Sequence, residues 1–208
     1  MKAIEIGKLL RAGTTGFVFG CRINQLDVPS FGALVTAELG HGARVFGMIT
    51  DIHIDDDGLV RQLVTTENAS PEVIADNRVN RNIPVEISVL AVGYSQDGRI
   101  SHLLPPRPPL SLDTVYLCGD TEIMDFTSAG RFGYLRHILN DQEVPAAELL
   151  ACHLQQAQTA HAAAGNPAWI QSASQELITL LRDDYPMLMN VLGAIADIEP
   201  YKKEGNNA

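Results

Sequence analysis

The periodicity of the apolar residues changes once along this 208-residue chain, near Thr121, and that change limits the fold more than any motif does. Before it, short runs rich in Val, Ile, Leu and Phe are separated by glycine-bearing turns, the signature of consecutive short strands. The runs predict strands over 4–11, 16–23, 33–39, 44–54, 59–65, 85–94, 99–104 and 114–118. Gly40-His41-Gly42, Asp56-Asp57-Gly58 and Gln96-Asp97-Gly98 supply the positive φ that tight turns need. Seven or eight such strands predict a small closed barrel, because closure removes the exposed edges of a short sheet. Ser70-Pro71-Glu72 interrupts them and predicts a helix over 70–79, with Ser70 as cap and Pro71 at its first position, covering an end of the barrel.

After Thr121 glycine thins out and a period near 3.6 appears. Leu150, Leu154, Ala157 and His161 follow i, i+4, i+7, i+11 and predict one helix face. Asn166-Pro167 precedes a helix over 168–182. Asp183-Asp184-Tyr185-Pro186 breaks it and starts another, striped by Leu188, Val191/Leu192, Ile195 and Ile198; the polar tail 202–208 is expected to be loose. The expected class is α+β: a small antiparallel-type barrel over 1–124 and a helical bundle over 125–208. Expected barrel core residues are Ile6, Val18, Val35, Phe46, Ile49, Ile87, Val89, Val115 and Leu117. Leu150, Leu154, Leu177, Leu181, Leu188, Leu192 and Ile195 are expected in the bundle core, with Trp169 pinning bundle to barrel.

Net charge is −10, which argues against general binding to nucleic acid or anionic membranes, since phosphate affinity rests on Lys and Arg. The imbalance is shared: ten basic against fifteen acidic residues up to Glu122, five against ten beyond. Apolar residues are 46% of the chain, enough for a core, yet no run approaches the ~18 residues of a membrane span. Cys21, Cys118 and Cys152 are odd in number and widely spaced, and the start at Met1 lacks a secretory pattern. Both predict reduced thiols and a cytoplasmic protein.

The chemical motifs do not assemble. Gly93–Ile100 imitates a phosphate loop but lacks the Lys and the hydroxyl, and sits on a hairpin. Among the six histidines, His153 and His161 lie about 12 Å apart along one helix at 1.5 Å per residue, too far to share an ion. Cys152 and His153 are helix neighbours that point ~100° apart and make no dyad. Asp55-Asp56-Asp57 is contiguous where a calcium loop alternates. No catalytic, cofactor or metal residue is assigned, and the histidines are read as ordinary surface or interface groups. Pro105-Pro106-Arg107-Pro108-Pro109 resembles an SH3 ligand, but the strand that follows favours a rigid connector.

As an ordered set, three segments resemble the HAS barrel shared by HerA-type DNA translocases and the N-terminal domains of rotary ATP synthase subunits. They are Ile6-Gly7-Lys8-Leu9, Phe31-Gly32-Ala33-Leu34-Val35 and Val45-Phe46-Gly47-Met48-Ile49-Thr50-Asp51-Ile52. The helical insert near 70–79 and the proline segment running into Asp113-Thr114-Val115-Tyr116-Leu117 extend the match over roughly 4–124. The chain departs from the family after that point: some 85 helical residues stand where the family places an ATPase, and no Walker motif is present. The resemblance implies a non-catalytic assembly or adaptor module that self-associates or docks onto a separate ATPase or nuclease-type partner, with Arg107, Arg78 and Arg81 as candidate contacts. The alternative expectation is a hydrolase, with a site between barrel and helices drawn from His137, His153 or an Asp.

Overall fold

The computed structural model describes residues 4–22, 28–55, 58–65, 70–79 and 84–196. Strands β1 (Ile4–Ala12), β2 (Gly16–Cys21), β3 (Leu34–Gly40) and β4 (Ala43–His53) come first. Helices α1 (Leu59–Thr65) and α2 (Pro71–Val79) follow, then β5 (Val85–Gln96), β6 (Arg99–Ser101) and β7 (Thr114–Leu117). All pairings are antiparallel, in the order β2-β1-β7-β3-β4-β5-β6. A further pairing of β2 with the first half of β5, Gly16↔Leu90 to Cys21↔Val85, closes six strands into a barrel. The second half of β5 pairs with β6 instead, across the two-residue turn Asp97-Gly98, so β6 is an extra strand outside the ring. The class is α+β.

One expected strand is a helix. Leu59-Val60-Arg61-Gln62-Leu63-Val64-Thr65 forms α1, because its apolar residues fall at i, i+1, i+4 and i+5 rather than in alternation. Gly58 therefore leads into a helix, not a hairpin. The expected strand 99–104 stops at Ser101, short of the prolines. Helix α2 forms as expected, with the Val73 amide bonded to Ser70 Oγ at 3.3 Å. Its described side chains, 71–76, are exposed, so they do not cap the barrel.

Alternation along the strands builds two apolar faces. Ile6, Leu9, Phe17, Phe19, Val35, Val45, Ile49, Ile87, Val89 and Val115 fill the interior. Leu34, Phe46, Met48 and Val92 point the other way and join the helices. Phe46 is thus buried as expected, but outside the barrel. Val18 and Leu117 are only half-buried; Phe17 and Phe19 take the inward positions on β2.

Helices α3 (Asp120–Ser128), α4 (Leu135–Leu139) and α5 (Ala146–Ala163) cover the outer face of the barrel, and α6 (Trp169–Leu180) and α7 (Tyr185–Ala196) pack further along. Leu150, Leu154, Ala157 and His161 are buried together on α5, as are Leu177 and Leu181 beyond it. On α7 Val191 is buried, whereas Leu188, Leu192 and Ile195 are half-exposed. The aromatic contacts of Trp169 lie within the helical half. Its ring stacks on His161 at 4.5 Å and leans on Phe132 at 5.7 Å, tying α6 to α5 and to the 3-10 turn Gly130–Phe132. Ile198 and the tail 202–208 lie outside the described residues.

Phe126 on α3 is the hinge pin of the two halves. It stacks on Phe46 of β4 at 4.6 Å and meets His102 at 4.7 Å and Tyr134 at 5.3 Å. Gly93 on β5 makes room for it, since a Cβ there would sit 2.9 Å from the Phe126 ring and 2.6 Å from the Ser101 carbonyl. Truncating Phe126 to Ala leaves a cavity that the stacked rings cannot close. The expected loss of unfolding free energy is about 3–5 kcal/mol, measured by chemical denaturation.

Candidate functional site

The seam between barrel and helices gathers several of the histidines and cysteines that sequence reasoning singled out. Its tightest point is Gly32, just before β3. At φ 80°, a Cβ on Gly32 would lie 2.8 Å from Cys152 Cβ and 3.0 Å from the His153 amide, so the loop lies directly on α5. The Gly32 carbonyl accepts from His153 Nδ1 at 3.3 Å, and the Phe31 carbonyl from Gln156 Nε2 at 3.4 Å. On the far side of the seam Arg44 of β4 pairs with Glu122 of α3 at 2.6 Å. Glu122 also accepts from the Gly119 amide at 3.2 Å and so closes the start of α3.

Three of the six histidines are core residues rather than surface ones. His153 is fully buried. Since its Nδ1–H donates to Gly32, its Nε2 is the acceptor, and it takes the Tyr134 hydroxyl at 3.2 Å. Burial pushes the His153 pKa down to about 4 and holds the Tyr134 phenol well above its ordinary range. His102 donates from Nε2 to the Phe126 carbonyl at 3.0 Å, and burial lowers its pKa; its Nδ1 faces Gly130. His161 donates from Nε2 to Thr127 Oγ1 at 2.8 Å, and Thr127 passes its own proton to the Ile123 carbonyl at 2.7 Å. Half-buried His137 donates to the His102 carbonyl at 2.9 Å, which also accepts from Arg136 at 2.6 Å. Each described bond joins an imidazole to a fixed structural partner. The stripe Leu150, Leu154, Ala157, His161 was the sequence signal for this depth on α5; nothing comparable marked His102.

A cleft of about 350 Å³ opens along the same seam. Leu34, Leu117, Cys118 and Ile123 form its apolar wall, and Ser30, Asp120, Gln155, Gln156 and Thr159 give polar groups. His137 and His153, expected in such a cleft, do not line it. Burial, first, and then the Glu122 carboxylate push the Cys118 thiol well above its ordinary range, and burial raises Cys21 and Cys152 as well. All three are protonated thiols rather than nucleophilic thiolates at neutral pH. Among the described residues no three His, Cys, Asp or Glu side chains converge as metal ligands. No described helix is long and apolar enough to cross a membrane.

The expected partner contacts separate. Arg107 is exposed on the proline connection between β6 and β7, beside the Gly40-His41-Gly42 turn, and no carboxylate among the described residues pairs with it. It stands between two surface grooves of about 260 and 380 Å³. Arg78 belongs to α2, but its side chain, like all of Arg81, lies outside the described residues. Sequence reasoning missed the leucines around Arg107. Leu110 and Leu112 are 73% and 76% exposed, with Leu103 and Leu104 exposed nearby in sequence. Leu112 has φ 72°, a strained conformation for a bulky residue, held by its amide on the Leu9 carbonyl at 2.8 Å.

No family model matches the chain, and no curated protein matches it.

The buried histidines generate a pH prediction. His153 titrates near 6.5 when unfolded and near 4 when folded, so the unfolded chain binds its proton first as pH falls. The stability its neutral form contributes is complete above about pH 6.5 and is lost as pH falls towards 4, to the extent of about 3 kcal/mol. Unfolding free energies measured across this window should fall steeply in the wild type and less in His153→Gln.

Proposed function

We propose that this protein is a non-catalytic assembly module, a HAS-type barrel carrying a helical bundle, which docks a separate ATPase or DNA-processing partner through the β6–β7 connection. The carrying observation is the set of exposed leucines on that connection, with Leu112 held in a strained backbone and Leu110 sharing a groove with Arg107, which no carboxylate among the described residues pairs. Four leucines presented to water cost solubility unless another surface covers them. A leucine beside an arginine in shallow grooves gives a partner an apolar anchor with a charge to orient it. The closed six-strand barrel supports the HAS reading, as do its matched segments. Ile6–Leu9 lies in β1, Phe31–Val35 leads into β3, and Val45–Ile52 lies in β4. The helices after Thr121 occupy the place of the family's ATPase, so nucleotide hydrolysis belongs to the partner.

Affinity capture with the tagged full chain under native conditions should recover a nucleotide-hydrolysing protein. Leu112→Glu should weaken that capture at least about tenfold, the effect of losing one anchoring contact. Leu112 is exposed, so the variant should keep the wild-type melting temperature. A strictly monomeric protein that captures nothing, or capture indifferent to Leu112→Glu, overturns the reading.

A further inference from the structure

Helix α7, Tyr-Pro-Met-Leu-Met-Asn-Val-Leu-Gly-Ala-Ile-Ala, carries no charged residue, and Asn190 is its one side-chain amide. A helix that is apolar all round belongs inside a core. Yet only Val191 is fully buried here, with Leu188 and Ile195 packed beside it. The opposite face is open. Tyr185 is 67% and Met189 49% exposed, Leu192 is half-exposed, Ala196 is exposed, and a Cβ on Gly193 would meet nothing.

We propose that this face is a homodimer interface, in which α7 of one copy packs antiparallel on α7 of a second copy about a twofold axis. Three observations point to a second copy rather than to another occupant. The first is spacing. Tyr185, Met189, Leu192 and Ala196 are separated by four, three and four residues, the seam that packs helix against helix as knobs into holes. The second is shape. An antiparallel pairing sets the largest member, Tyr185, against the smallest, Ala196, and Met189 against Leu192, so the stripe complements itself under a twofold, as an isologous contact requires. The third is charge. Copies that each carry −10 repel over most of their surface, and α7 is an uncharged stretch on which they can meet; since this register sets Asp184 of one copy opposite Asp197 of the other, added salt should strengthen the pairing. The chain beyond Ala196 is a poor cover by composition: five of its twelve residues are charged, and Ile198 and Tyr201 are its large apolar side chains. A twelve-residue helix pair is about 18 Å long, which places the contact at the small end of specific interfaces.

The inference deepens the assembly reading by naming one partner, and it places self-association on the helices rather than on the barrel. Light scattering on the full chain at tens of micromolar should give the mass of two chains. Met189→Glu, at an exposed position, should give one chain with an unchanged thermal melt. In a Cys152→Ser background, Met189→Cys protein mixed with Leu192→Cys protein should form a disulfide-linked pair across the two copies on mild oxidation; a parallel pairing would instead favour Met189→Cys linked to itself. A monomeric wild type overturns the proposal, as does a dimer indifferent to Met189→Glu. So does a monomer that floats with lipid vesicles, or one that dimerises only when the chain ends at Ala196, which would assign the face to lipid or to the tail. A dimer lost in Leu112→Glu but kept in Met189→Glu sinks this proposal and leaves the assembly reading standing. A monomer that captures no partner sinks both.

Discussion

A six-strand barrel this small can fill its interior, but it cannot hide its own outer surface. Leu34, Phe46, Met48 and Val92 face away from the barrel core, and water contact there would be costly without a cover. The helices after Thr121 are that cover. Their core and the outer barrel face form one apolar cluster, with Phe126 stacked on Phe46 and fitted over Gly93. Interior density is high enough that a ring cannot be moved without moving its neighbours. The positions of the helices therefore follow from the strand that carries Phe46.

The same constraint explains the buried imidazoles. Apolar packing alone fixes a helix on a sheet loosely, because neighbouring ridges and grooves look alike. A directed bond from His153 to the Gly32 carbonyl, with the Tyr134 hydroxyl closing the ring from the other side, has one satisfactory register. Sliding α5 by a turn would strand both groups in a dry seam, where an unpaired polar group costs about 1–3 kcal/mol. The hydrogen bond from His161 to Thr127 does the same for α5 against α3. These histidines are neutral for the reason they are useful as pegs: burial disfavours their charged form.

Much of this was legible in the sequence, and the failures have physical causes. Strands with one apolar face and a glycine turn, such as 85–94 ending at Gln96-Asp97-Gly98, are readable because period two and positive φ leave separate marks. On β4, Val45, Phe46, Met48 and Ile49 are apolar in succession, which shows burial on both sides but not which side is the barrel. That is why Phe46 was expected inside. The seven residues Leu59–Thr65 were expected as a strand because the run is short and rich in Leu and Val, although its apolar spacing of i, i+1, i+4 and i+5 is that of a helix. Arg107 was expected on an exposed loop, and it is exposed there. The exposure of Leu110 and Leu112 was not expected, because an isolated leucine in a loop gives no sequence sign of facing out.

Closure also restricts how a partner can attach. With the barrel strands paired on both sides, the ring offers no row of free amides and carbonyls for strand addition. The extra strand β6 is three residues long, too short to template another chain. Any partner must then grip side chains, and the exposed apolar ones among the described residues include the leucines of the β6–β7 connection and the outer stripe of α7. Both are unfavourable for an isolated acidic protein: one strains a backbone, the other exposes a helix suited to a core. A chain that needed only to fold would gain stability by replacing Leu112 with glycine and solubility by placing a charge at Met189. These two features, each of which weakens the free protein, are the ones that the proposed docking and helix pairing would cover.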